Sequence, residues 1–386
     1  MKPRRQSALA ALLLALGTLL AALPVAAAVP VVCGWPAWDL FKAHLLSADG
    51  RVIDPGTPRQ HTVSEGQAYA LFFSLVANDR ASFERILQWT ENNLAEGDFT
   101  AHLPAWQWGH RDDGSWGVLD ANPASDADIW IAYSLAEAGR LWQQRRYKIL
   151  SVLIGNRILR EETAMIPGLG LTLLPAPSGF APAPDRWRLN PSYVPMQILR
   201  GLAADDPDSG WNALLPSSQL LITGPATLGY SPDWVQVQAG KGFIPDPETQ
   251  AIGSYNAIRV YLWAGLMDKA DPARTIIVEA LRPMARYVAA HGEVPERVDT
   301  RSGAMQGTGP SGFAAAMIPF LDAAGETQAA RALAQRLAAH PMTADAYYGQ
   351  ALSLFAQGGG KGPFRFAANG SLITHWNSTC APSAAR

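Results

Sequence analysis

Four stretches of this sequence carry residues whose types and spacing suit proton transfer and the gripping of a polar ligand. Glu65 stands in Thr62-Val63-Ser64-Glu65-Gly66-Gln67, where Ser64 and Gln67 read as a capping box opening a helix. A glutamate in that first turn lies near the positive end of the helix dipole. It is either part of a good helix start or an acid presented to a cleft. Asp126 and Asp128 fall in Ala124-Ser125-Asp126-Ala127-Asp128, a second helix start with Ser125 as its expected cap. Two acids two positions apart on a helix point in different directions, so one can face a cleft while the other secures the loop. Arg259 interrupts the apolar run Ala257-Ile258-Arg259-Val260. An unpaired charge there is costly, so a carboxylate or a polar ligand must face it.

Aromatics add a fourth signal. Trp106, Trp108 and Trp116 crowd one polar, Gly-rich stretch with Gln107, Gly109, His110 and Asp112. Read as a loop, that stretch presents flat indoles suited to the apolar faces of sugar rings. Trp89, Trp142 and Trp263 sit in helical patterns and read as core. The seven histidines are scattered, with no His-x-x-Glu-His or similar spacing. Gly-x-Ser-x-Gly elbows, phosphate loops and dinucleotide fingerprints are missing too. Neither metal nor cofactor is expected. Carboxylates with aromatics are the equipment of glycoside hydrolysis.

The elements that must position these groups are helical. Apolar residues recur at i, i+3, i+4 and i+7 over 35–46, 64–78, 81–94, 126–142, 145–162 and 192–202. The same period continues over 211–221, 254–266, 272–291, 312–321, 327–340 and 344–355. Strand signals are few and short, around 168–174, 187–188 and 364–366. Some twelve helices joined by Gly/Pro-rich connections predict an all-α fold, an (α/α)6 toroid of six hairpins. No motif repeats at constant period, which argues against an α-solenoid.

The N-terminus predicts export. Lys2, Arg4 and Arg5 precede an apolar run from Ser7 to Leu23, followed by Pro24 and the small residues Ala26-Ala27-Ala28. That is the layout of a cleavable secretory signal over 1–28, leaving 29–386 as one domain. Removing 1–28 takes away three basic residues and no acidic ones, so 28 basic face 33 acidic side chains, a formal charge of −5. That balance points away from nucleic acid and towards a neutral substrate. In an oxidising compartment Cys33 and Cys380 are expected to pair and tie the chain ends together, the alternative being two free thiols.

Taken together, Ser64-Glu65-Gly66, Ala124-Ser125-Asp126-Ala127-Asp128 and Ser254-Tyr255-Asn256-Ala257-Ile258-Arg259 resemble the motifs of family 8 glycoside hydrolases. The likeness is closer to the periplasmic branch of that family associated with bacterial cellulose synthase. Cys33-Gly34-Trp35-Pro36-Ala37-Trp38, Gly50-Arg51-Val52-Ile53-Asp54-Pro55, Ser231-Pro232-Asp233-Trp234 and Asp345-Ala346-Tyr347-Tyr348 carry it. The resemblance implies inverting hydrolysis of β-1,4-glucan, with Glu65 as general acid and Asp126 holding the distorted sugar. Asp128 would support that helix start, and Tyr255 and Arg259 would flank the site. The implied partner is a cellulose chain, in association with a synthase export system and without stable membrane insertion once the signal is removed.

One position departs from the family pattern. Asn256 stands where the family's general-base aspartate is expected, and an amide cannot take the proton. Three explanations stand open: an inactivating change, a base drawn from elsewhere, or drift into a silent cellulose-binding protein. Asp233, Asp246 and Glu248 are the nearest acids in sequence for the second. A glycanase acting on chitosan or xylan is a further alternative.

Overall fold

A computed structural model describes residues 34–376; the expected signal segment and Cys33 and Cys380 lie outside them. Among the described residues, twelve α-helices alternate between two roles. The helices α2 (Ser64–Val76), α4 (Ser125–Leu141), α6 (Met196–Asp205), α8 (Ala257–Leu266), α10 (Ser311–Ala324) and α12 (Tyr347–Gly358) form an inner ring. Each packs on the next, and α12 returns to α2 to close the circle. The outer helices are α1 (Pro36–Leu45), α3 (Arg80–Leu94), α5 (Arg145–Glu161), α7 (Trp211–Thr223), α9 (Arg274–His291) and α11 (Thr327–Ala339). This is the expected (α/α)6 toroid, and the periodicity places nearly every helix within a few residues of its observed span.

Sequence pattern explains the layering. Along α2 every residue from Gly66 to Val76 is buried, whereas α5 buries only Tyr147, Ser151, Ile154, Gly155 and Ile158, spaced at helical intervals. A helix apolar all round belongs inside, and one with a single apolar stripe belongs on the rim. Along the axis the inner helices meet through aromatic rings. Phe72 lies 4.9 Å from Trp130, Tyr69 lies 4.9 Å from Phe355, and Trp263 lies 5.0 Å from Phe355. Such edge-on pairs add about 0.5–1.5 kcal/mol each beyond burial.

The ring is plugged at one end and open at the other. Phe364 and Phe366, on a hairpin of β4 (Phe364–Phe366) and β5 (Leu372–Thr374), pack against Phe72. Tyr133 Oη and Arg140 donate to the carbonyls of Gly370 and Leu372 and seal that hairpin to α4. At the opposite end all six inner helices begin. Their N-cap residues are Val63, Ala124, Pro195, Asn256, Pro310 and Ala346, and none gives its helix a side-chain cap.

That corrects two expectations. Ser64 and Ser125 do not cap; both hydroxyls are buried without a partner. Gln67 does not reach back either. Its Oε1 accepts from Val52 N at 2.6 Å, and its Nε2 donates to Gly50 O and to Thr90 Oγ1. The backbone of a neighbouring turn outbids the local capping box.

The tryptophan stretch is also corrected. It is a hairpin rather than a loop, β2 (Ala105–His110) paired with β3 (Trp116–Pro123). On its other edge β2 pairs with β1 (Thr62–Val63), which runs directly into α2. The burial patterns of β2 and β3 do not alternate, so no clean period-2 pattern marked them.

Gly50 seats the turn before Arg51 against α3. Its φ is +103°, and a Cβ there would come within 2.3 Å of Arg85 O. Gly50→Ala is therefore expected to destabilise the chain by at least about 1–3 kcal/mol from backbone strain alone, read from urea denaturation midpoints. A change within error would show that the turn moves freely.

Candidate active site

The open end gathers side chains from four inner helices. Arg259, in the first turn of α8 and 4% exposed, is its centre. One of its nitrogens, Nη1, pairs with Glu65 of α2 and, at 3.2 Å, with Asp126 of α4. The same nitrogen lies 3.4 Å from Tyr69 Oη. Nη2 donates to Asn256 Oδ1 at 2.6 Å, and Asn190 Nδ2 donates to that oxygen at 3.1 Å. The Tyr193 ring lies against the guanidinium at 5.7 Å. The buried arginine thus has the carboxylates that its apolar setting demanded.

Electrostatics limit the proton count. Two carboxylates against one guanidinium leave one negative charge in excess, and the site is balanced by a single proton. Asp126 is the more enclosed acid, its side chain 6% exposed against 18% for Glu65. Burial pushes the Asp126 carboxyl up to about 7, opposed by the Ala127 N–H that it accepts at 2.9 Å. Tyr69 and Tyr193 are held well above the usual phenol range by burial, so they stay neutral donors. The first turns of the inner helices add their positive poles to the same mouth.

Asp126 and Asp128 diverge as their spacing predicts. Asp126 faces Arg259, while Asp128 is fully buried and turns towards Glu162 at the end of α5. Tyr255 stands at the rim, 48% exposed, its ring 5.0 Å from Phe313. Tyr348 Oη donates to the Tyr255 carbonyl and ties α12 to the start of α8. A Cβ on Gly66 would come within 2.6 Å of the Tyr347 hydroxyl, so glycine beside Glu65 makes room for that ring.

The indoles divide. Trp108 and Trp116 stack on each other at 5.3 Å, and the Arg51 guanidinium lies over both rings at 4.5 and 4.8 Å. Trp89 meets Trp108 edge-on, so Trp108 is largely committed to protein partners. Trp116 is 45% exposed and keeps its surface open to solvent. Trp106 is half-buried on β2. Pairing of Thr62 with Trp108 brings this hairpin alongside the strand that leads into Glu65.

The three acids proposed from sequence as substitutes for the base separate clearly. Asp246 is buried against Arg188 and caps the Thr249 turn. Glu248 is exposed and pairs with the same arginine at 2.9 Å. Asp233 adjoins the site: its Oδ1 accepts the backbone N–H groups of Ser254, Asn256 and Ala257 at 2.7–3.0 Å. Burial raises its carboxyl above the ordinary range. Among the described residues no group of three His, Cys, Asp or Glu is arranged for a metal ion.

Sequence reasoning missed Tyr69, Asn190, Tyr193 and Glu162. Tyr69 stood four residues after Glu65, on the same helix face, which was a usable signal. The others come from connections or from the far end of an outer helix, where no local pattern marks them.

Residues 14–361 match the Glycosyl hydrolases family 8 pattern. An endoglucanase of Salmonella typhi is 46% identical over 351 residues, covering 91% of this chain and 94% of its own length. An endoglucanase of Escherichia coli K12 is 45% identical over 365 residues, covering 95% and 96%. The crystal structure of the endo-1,4-D-glucanase from Vibrio fischeri superposes with a TM-score of 0.83 at 42% identity, covering 89% of this chain and 99% of that one.

Removing the central cation gives a test with a defined sign. Arg259→Ala leaves the buried Asp126 and the half-buried Glu65 without their cation and is expected to cost about 3–5 kcal/mol at pH 8. Without the arginine the buried Asp126 carboxyl, already raised by burial, titrates higher still, and a carboxyl raised in the folded state adds stability that is lost as pH rises through its folded value. The deficit should therefore shrink from pH 8 to pH 5 in urea unfolding. A deficit independent of pH would place the acids out of reach of Arg259.

Proposed function

This chain belongs to family 8 of the glycosyl hydrolases, and on that premise we propose that it is an endo-β-1,4-glucanase acting on cellulose. The observation that carries the reading is the single guanidinium shared by Glu65 and Asp126 at the open end of the ring, beside the Trp116 hairpin. Glu65 is the more accessible acid and is placed to protonate the leaving oxygen. Asp126, deeper and anchored on the first turn of α4, grips the sugar at the scissile position.

The reading assigns inversion to this chemistry. An inverting pair needs roughly 6.5–9.5 Å between its carboxyl groups so that a water fits between them. Glu65 and Asp126 reach one and the same nitrogen, which leaves no such gap. The water must be activated from the α8 side, where Asn256 stands. Asn256 also removes a third negative charge from around Arg259. A base at that position typically contributes on the order of 10²–10⁴-fold, so we read the natural rate as depressed by that factor. Asp233 is the carboxylate next in line, since it holds the Asn256 backbone.

Carboxymethyl cellulose distinguishes the alternatives. Asn256→Asp is expected to raise reducing-end release on the order of 10²–10⁴-fold. Equal rates for parent and variant would move the base to Asp233. No hydrolysis by either would favour a silent cellulose-binding protein, or a chitosan or xylan substrate if those polymers are cut instead. Early products followed by proton NMR should be α-anomers. Early β-anomers would instead mean retention, with Asp126 as nucleophile.

We also assign the protein to the periplasm or the exterior, in the service of cellulose export. The support is the signal-like segment over 1–28 and the neutral polymer that the site suits. N-terminal sequencing of the exported chain should begin at Val29. A chain retained with Met1 in the cytoplasm would overturn this assignment.

A further inference from the structure

Directly behind Asp126 lies a pair of acids that the mechanism does not use. Asp128 and Glu162 are both fully buried, and their carboxyl groups face each other within hydrogen-bonding reach. None of their four carboxyl oxygens receives a hydrogen bond from any N–H or O–H donor among the described residues. Two ionised carboxylates have only acceptors to offer, so as anions they would repel one another with nothing to offset the cost. No metal-holding group is present among the described residues to neutralise them. A proton resolves both problems at once, because a carboxylic acid donates to a carboxylate.

Helix polarity says which acid holds that proton. Asp128 lies in the first turn of α4, at the positive pole, which favours a carboxylate. Glu162 is the C-cap residue of α5, at the negative pole, which disfavours one. We propose that Glu162 is a protonated carboxylic acid at neutral pH that donates a hydrogen bond to the Asp128 carboxylate, and so acts as a positioning residue for Asp126 through the first turn of α4. Asp126 takes its orientation from that turn, through the Ala127 N–H. Burial and the like charges nearby raise the Glu162 carboxyl well above its ordinary range. The ionisable groups facing the pair are Asp126 on α4, Glu161 on α5 and Tyr193 in the turn before α6. Asp126 and Glu161 are like charges that favour retention of the proton, Glu161 being itself paired with Arg157 and Arg160, and Tyr193 is a neutral phenol.

The consequence for Asp126 rests on the glycanase reading; the shared proton does not. Infrared spectroscopy of the whole chain at pH 8.5, above the Asp126 transition, should show a protonated-carboxyl C=O band. That band is expected to vanish in Glu162→Gln, whose amide still donates to Asp128 and keeps the turn in place. Asp128→Asn, in which the amide donates to an ionised Glu162, should lose it as well and serves if the first variant folds poorly. Stability provides a second readout. Because Glu162 titrates higher folded than unfolded, its contribution is complete below the ordinary carboxyl range and is lost as pH rises through the folded value. Urea midpoints of the parent should therefore fall from pH 6 to pH 9 more steeply than those of Glu162→Gln. An unchanged band in both variants, or identical pH slopes in parent and Glu162→Gln, would overturn the proposal.

Discussion

The site depends on one buried cation. Arg259 comes from α8, while the two acids that it holds come from α2 and α4, 194 and 133 residues away in sequence. A guanidinium 4% exposed is costly unless its fork is filled. Its two Nη atoms are paired, while Nε is buried without a partner, and those pairings join the starts of three inner helices. The pairing also sets a charge balance that a single proton completes.

The ring makes that cluster tolerable. Because each hairpin returns the chain to the same end, all six inner helices point their N-termini at one mouth. Their first-turn N–H groups are left uncapped by their own N-cap residues, so positive poles converge where carboxylates are crowded. The other end is sealed by aromatic rings and a hairpin, which leaves one face for a polymer to cross. Three tiers of acid follow from this geometry: Glu65 nearest solvent, Asp126 behind it, and the Asp128–Glu162 pair behind that.

The indole hairpin shows the same economy of parts. Pairing of β1 with β2 couples the Trp108–Trp116 stack to Thr62, on the strand that runs into α2 and Glu65, and the Arg51 guanidinium lies over both rings. One strand register therefore sets both where the acid stands and where a flat aromatic surface meets solvent.

The sequence alone determined the local parts. Helix spans were legible because burial on a helix repeats every 3.6 residues, and inner and outer helices differ visibly in how much of that circumference is apolar. Glu65, Asp126 and Arg259 were legible because charged groups in helix starts and apolar runs demand an explanation, and family motifs supplied one. What the tertiary structure decided was partnership. The capping roles of Ser64 and Ser125 gave way to uncapped helix starts, and Gln67 turned to the Val52 turn, because a backbone group from elsewhere offered the better hydrogen bond. The tryptophan stretch became a hairpin because its neighbour β1 completes the sheet, not because its own pattern alternates. Glu162 carried no signal at all: its importance lies in facing Asp128 from another helix, and the energy of a buried charge is set by what surrounds it in space, which sequence spacing does not record.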